Sequence, residues 1–184
     1  MKKILLLSAA LLLAACSSMR SLPVPADLAV VQPAGTTRWF QIEKLPETGD
    51  SGGEASMLAV ESSADSLRFV QTNALGAPIA RQQLSRNGWQ NDGFIAPNAE
   101  ARRLFAALLP LLATDKAQQI YPDFKQSESA DHATVFSWKE QEMWRVQQSE
   151  GRYLIYFPQG NRWLVKEIEK FQTGLSESLF SFAI

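Results

Sequence analysis

The feature that most constrains the fold is a change of hydrophobic period in mid-chain. Strand-like segments precede it and strand-like segments follow it, so one helical insertion interrupts an otherwise β-patterned chain. After Pro97, Asn98 is suited to an N-cap, and residues 99–109 read as helix. Leu104, Leu108 and Leu111 or Leu112 fall at helical spacing, with Phe105 and Leu109 beside them. Glu100, Arg102 and Arg103 wet the first turns, but residues 105–113 are apolar all round, and a helix of that kind is buried on most sides. Pro110 lacks a backbone donor and crowds the preceding turn, which predicts a kink or an end there. Thr114 and Asp115 form a second cap signal, and residues 116–121 read as one more short helix before Pro122.

The flanking segments alternate with period two. Residues 38–43 read as a strand ended by Pro46, residues 47–56 as a loop carrying Gly49, Gly52 and Gly53, and residues 57–61 as the return strand. Residues 66–72 place Leu67, Phe69 and Gln71 on one side and Arg68 and Val70 on the other. After a turn at Gly76, residues 79–84 run on to Asn87-Gly88, a pair that predicts a type I′ hairpin turn. Residues 134–138, 143–147, 153–157, 162–168 and 179–184 read as strands, with turns at 149–151 and 160–161. The expected fold is therefore mainly β with central helices (α+β). It is a strongly curved antiparallel sheet, or half-barrel, with the apolar helix packed on its concave side as a lid.

At the other end of the chain, Lys2 and Lys3 precede an apolar run over residues 4–13, and Leu13-Ala14-Ala15-Cys16 closes the segment. This is the layout of a secretory signal, too short to span a bilayer. Its ending resembles the bacterial lipobox, which implies that Cys16 is lipidated and becomes the first residue. At about 0.8 kcal/mol per buried methylene, two or three acyl chains anchor a protein firmly to a membrane. The domains expected are residues 1–15 as signal peptide, 16–35 as lipidated Cys and flexible tether with Pro23, Pro25 and Pro33, and 36–184 as a single half-barrel domain. Ser17 after the Cys resembles the sorting rule that permits export, which implies the periplasmic face of the outer membrane.

Loss of Lys2 and Lys3 with the leader leaves 16 basic against 19 acidic residues, a net charge of −3. That balance weighs against nucleic acid as a partner. Cys16 is the only cysteine, so neither a disulfide nor thiolate catalysis nor a cysteine metal site is available to the domain. His132 is the only histidine and lies beside Asp131, a pattern that suits a solvated turn better than a catalytic base. No catalytic set, cofactor motif or metal motif is present, and a non-enzymatic role is expected.

What remains is apolar: five Trp and ten Phe. Trp39, Phe69, Trp89, Phe94, Trp138, Trp144 and Trp163 lie on or beside predicted strands, and Phe105, Leu108 and Leu112 on the helix. These residues either fill a core or line a cavity for acyl chains or another apolar ligand.

The lipobox, the antiparallel strands, the run from Leu75-Gly76 through Asn87-Gly88-Trp89, and the Leu-rich helix followed by Tyr121-Pro122 resemble the LolA/LolB-like family of lipoprotein carriers and receptors. A group of bacterial lipoproteins near that fold is also similar. The resemblance implies a half-barrel with a helical lid over an apolar cavity, and a lipid or lipoprotein acyl chain as ligand. It also implies an apolar loop tip turned to the membrane, for which Leu75 is the candidate here, because the longer loop at 47–56 is polar and acidic. The expectation is an outer-membrane-anchored lipoprotein that binds or transfers an apolar ligand. The alternative is a non-catalytic accessory that docks an envelope protein complex.

Overall fold

The computed structural model describes residues 22–172 except 23, 47, 49–51, 114 and 115, with backbone alone for 169–172. Cys16 and the strand expected at 179–184 lie outside the described residues. The fold is mainly β. Among the described residues, ten strands form one open antiparallel sheet: β1 (Thr36–Leu45), β2 (Glu54–Ser62), β3 (Ser66–Asn73), β4 (Pro78–Ser85), β5 (Gly88–Asn91), β6 (Lys125–Glu128), β7 (Thr134–Trp138), β8 (Gln141–Ser149), β9 (Arg152–Tyr156) and β10 (Arg162–Gln172). Their order is β5-β4-β3-β2-β1-β10-β9-β8-β7-β6. Each wing is a meander of sequential hairpins, and the β1–β10 pairing joins the wings at the centre.

Two short helices, α1 (Ala99–Leu112) and α2 (Ala117–Ile120), occupy the connection between the wings. Period-two alternation gives the sheet an apolar inner face. Phe40 and Ile42 of β1, Leu58 and Val60 of β2, Leu67 and Phe69 of β3, Trp144 and Val146 of β8, and Trp163 and Val165 of β10 are all buried. They share one core with Leu104, Phe105, Leu108, Leu109 and Leu112 of α1. Residues before the sheet join it as well: Val31 is in the core, and the buried Gln32 amide donates to the Val60 and Thr36 carbonyls. Packing against the domain thus begins within the segment read as tether.

α1 starts as its sequence predicts, with the Asn98 side chain accepting from the Ala101 N–H at 2.9 Å. It does not stop before Pro110, which lies inside it. The missing Pro110 N–H would have bonded the Ala106 carbonyl; the Tyr121 hydroxyl donates to that carbonyl instead, at 3.0 Å. Burial pushes the Tyr121 phenol well above its ordinary pKa. The folded chain therefore keeps this proton at a pH where the unfolded chain has lost it, so stability is unaffected below about pH 10 and falls as pH rises beyond it. Tyr121→Phe is expected to cost about 1–2 kcal/mol at neutral pH, by leaving the Ala106 carbonyl without a partner. The variant should also unfold with a shallower alkaline limb. Urea titrations at neutral and alkaline pH test both effects.

Local structure departs from the sequence reading in two places. The Arg86-Asn87 loop has positive φ only at the following Gly88 (+92°), so no type I′ turn forms there. Paired positive φ angles occur instead at Lys139–Glu140 and Glu150–Gly151, each a two-residue loop between paired strand ends. The edge strand β6 (Lys-Gln-Ser-Glu) is exposed at every position, so no alternation marks it in the sequence.

Candidate functional site

The inner face and α1 form the candidate site. α1 is tied to the sheet by polar contacts at its two ends and by apolar packing between them. At its start, Lys44 Nζ lies 2.8 Å and 3.0 Å from the two Glu100 carboxylate oxygens. The fully buried Gln82 amide donates to the Asn98 carbonyl at 2.8 Å and accepts from Arg102 Nε at 3.0 Å. At its end, Arg38 Nη1 donates to the Leu112 carbonyl at 2.8 Å, while Nε and Nη2 grip the two Glu167 oxygens at 2.8 Å each. A cation there complements the helix C-terminus. Arg38 and Lys44 are six residues apart on one strand face, about 20 Å. Glu100 and Leu112 are twelve residues apart on the helix, about 18 Å. α1 thus runs along β1 in the opposite direction.

Between these ties the expected site residues fall into two aromatic groups. On the β3–β5 wing, Phe69 stacks on Phe105 of α1 with centroids 4.9 Å apart and meets Trp89 at 5.4 Å. On the β7–β8 wing, Trp144 contacts Phe136 at 5.6 Å, Phe124 at 5.4 Å and Tyr121 at 5.9 Å, and Trp138 stacks on Phe124 at 6.4 Å. Trp163 lies near the centre, buried, with Lys44 Nζ 5.8 Å from its ring. Leu108 and Leu112 are buried on α1. The indole N–H groups of Trp89, Trp144 and Trp163 are buried without a protein partner, an arrangement that leaves three donors available on the inner face.

Two expected lining residues are not brought to this face. Trp39 falls out of phase with Arg38 and Phe40, so it points to the outer face and is 37% exposed. Phe94 is on the loop before α1 and is fully exposed. Leu75 is 93% exposed on the β3–β4 turn. Asn73 Oδ1 accepts from the Leu75 and Ala77 N–H groups at 3.0 Å each, and Gly76 takes φ +80°, so the turn is held with its apolar tip outward.

Several site residues had weaker signals. Tyr121 and Phe124 bracket a proline-containing turn, which hides their approach to Trp144. Arg38, Lys44 and Gln82 are polar residues in the inward phase of otherwise apolar strands, and that misfit is the clue that each meets a partner. Ser56 and Gln71 share it, with Gln71 Nε2 donating to Ser56 Oγ at 2.9 Å.

His132 occupies an exposed turn, where its Nδ1 lies 2.7 Å from Glu128 Oε1. The Ser129 hydroxyl donates to Asp131, whose carboxyl is held below its usual range chiefly by that bond. Ser129 and His132 are thus engaged with different carboxylates. Among the described residues no three His, Asp or Glu side chains form a group that could hold a metal, and no helix is long and apolar enough to cross a membrane. No protein-family model matches the chain, and no curated protein matches it.

Proposed function

We propose that this chain is a lipoprotein anchored through Cys16 to the periplasmic face of the outer membrane, and that it binds or hands over an apolar ligand, a lipid or acyl chain, in a half-barrel lidded by α1. One observation carries the reading: residues 104–110 of α1 are all buried in the apolar core, yet the polar ties of the helix to the sheet lie at its two ends. A helix held in that way separates from the sheet by releasing end contacts and exposing apolar surface to an apolar guest. The Lys44–Glu100 pair is 40% and 31% exposed, and a pair so open to water contributes less than about 1 kcal/mol. Arg38 is nine-tenths buried. The helix therefore opens at its start, where the buried Gln82 amide must also release the Asn98 carbonyl, and pivots about its Arg38 end. The unpartnered indole donors suit the carbonyl or carboxylate oxygens of an acyl ligand, and Leu75 supplies the apolar contact to the bilayer.

A secreted Cys16→Ser form tests this reading without its own acyl chains. Solvent extraction and mass spectrometry should return bound lipid, and fatty-acid titration should shift the fluorescence of the buried tryptophans. A protein that yields no lipid and leaves its fluorescence unchanged would sink the carrier reading. The aromatic rings of the interior already touch one another, and this favours a second reading, a solid accessory domain docking an envelope complex. Crosslinked envelopes would then return one protein partner and no lipid.

A further inference from the structure

The outer face of the sheet centre carries a groove that the carrier reading does not use. It encloses about 420 Å³ and is lined by Gln41 and Glu43 of β1, Leu164 and Lys166 of β10, and Glu150 and Arg152 at the β8–β9 turn. The register sets these side chains side by side: Gln41 pairs with Lys166, Lys166 with Arg152, and Glu43 with Leu164. Trp39 stands two residues before Gln41 in the same outward phase of β1, beyond the residues that line the groove. A bulge in the β1–β10 ladder falls beside it, where Phe40 pairs with Glu167 and Trp39 with Glu169. The bulge leaves Glu167 facing inward to Arg38 and turns Ile168 outward, 50% exposed, next to Trp39.

This lining selects a ligand class. A single apolar residue, Leu164, does not suit an acyl chain, which requires mostly apolar walls. Two carboxylates and two cations cancel, so neither a polyanion nor a polycation is favoured. The groove instead offers donors and acceptors of both signs across neighbouring strands, with the part-exposed Trp39 indole on the same face of β1. The carboxylate of Glu43 accepts from the Gly53 N–H at 3.0 Å, which orients it before any ligand arrives, and Arg152 Nη2 lies 3.2 Å from Glu150 Oε2 in a pair open to water. Hydroxyls need paired acceptors and donors, an acidic substituent needs Lys166 or Arg152, and the C–H face of a sugar ring needs an aromatic platform.

We infer that this groove binds a glycan of N-acetylated amino sugars bearing carboxylates, the chemistry of the bacterial cell wall, with Trp39 as the stacking platform and Gln41, Glu43, Arg152 and Lys166 as its polar contacts. Amide and hydroxyl groups of such a polymer match Gln41 and Glu43, and its carboxylates match Lys166 and Arg152. The periplasmic placement proposed above puts that polymer within reach of a tethered domain. Stacking and hydrogen bonding occur on the face opposite α1, so glycan and apolar ligand would occupy the chain together.

The mature lipidated protein in detergent micelles, mixed with purified cell-wall sacculi, tests the inference. It should co-sediment, and soluble amino-sugar fragments of the same wall should compete and change the Trp39 fluorescence. Trp39→Ala and Lys166→Ala should each weaken binding about tenfold, the loss of one charged or stacking contact. Phe94→Ala, on a distant loop, should leave it unchanged. Because Trp39 lies opposite the buried Ala59 in the β1–β2 ladder, Gln41→Ala at an exposed position provides a second variant. Absence of sedimentation, or full binding by both the Trp39 and Lys166 variants, overturns the inference. So does a photo-crosslinker placed at residue 39 that captures a protein in place of glycan. Fatty-acid binding by the same samples reads the carrier reading separately, so either proposal can fail alone.

Discussion

Phe105→Ala is expected to cost about 4 kcal/mol of folding free energy, among the largest effects available to a single truncation in this chain. The residue is fully buried and stacks on Phe69, and its removal opens a void where α1 meets the β3–β5 wing. The cost has two parts, the lost transfer of an aromatic ring from water and the lost contacts around the unfilled space. Phe94→Ala, which truncates the same residue type in the open, should change stability by less than about 0.5 kcal/mol. Urea unfolding of both variants at constant slope measures the difference. A cost below about 1.5 kcal/mol for Phe105→Ala would mean that α1 is not seated in a packed core. The same variant also bears on the carrier reading: space made under the helix should raise fatty-acid affinity if ligands enter there, and leave it unchanged if they do not.

Phe94 and Phe105 differ in a way that composition does not reveal but periodicity does. Phe105 falls on a sustained helical pattern behind an Asn98 cap, whereas Phe94 stands in a short run between Gly93 and Pro97 with no period at all. The alternation of Leu67, Phe69 and Gln71 was legible for the same reason, since one buried face imposes a period of two. Trp39 was not legible as an outward residue. Hydrophobicity alone sends it inward, but the neighbouring Arg38 takes the inward phase because a carboxylate 129 residues later and the end of a helix await it there. Strand β6 was invisible because its four residues bury nothing. The passage of α1 through Pro110 depended on a hydroxyl eleven residues downstream, a contact that no local rule contains. Of the inner site's apolar residues, those on a sustained period such as Phe69 and Phe105 were readable, whereas the outward turn of Trp39 and Phe94 and the approach of Tyr121 and Phe124 to Trp144 were not. The polar ties that fix its shape, and the outer groove, required register across the β1–β10 seam.

That seam makes the second large prediction. Glu167→Ala is expected to destabilise the fold by about 3 kcal/mol, because it leaves the Arg38 guanidinium nine-tenths buried with the Leu112 carbonyl as its remaining charge-assisted partner. Glu167 itself is 21% exposed, so the effect should fall at the lower end of the range for broken buried pairs. Removing both partners together has a different consequence. Arg38→Met with Glu167→Leu keeps the volume and leaves no buried charge, so the double variant should recover to within about 1 kcal/mol of the parent. The coupling energy of the cycle then measures the pair itself, free of the penalty for an orphaned charge. Salt discriminates further: an exposed pair such as Lys125–Glu140 is screened at high ionic strength, whereas the Arg38–Glu167 coupling should persist. If Arg38 is the pivot of α1, the double variant should stay folded yet release the helix at both ends, and hydrogen exchange in residues 108–112 should rise to match that in residues 100–104. Unchanged protection at 108–112 would show that apolar packing alone holds this end, and the pivot would have to be sought elsewhere on the helix.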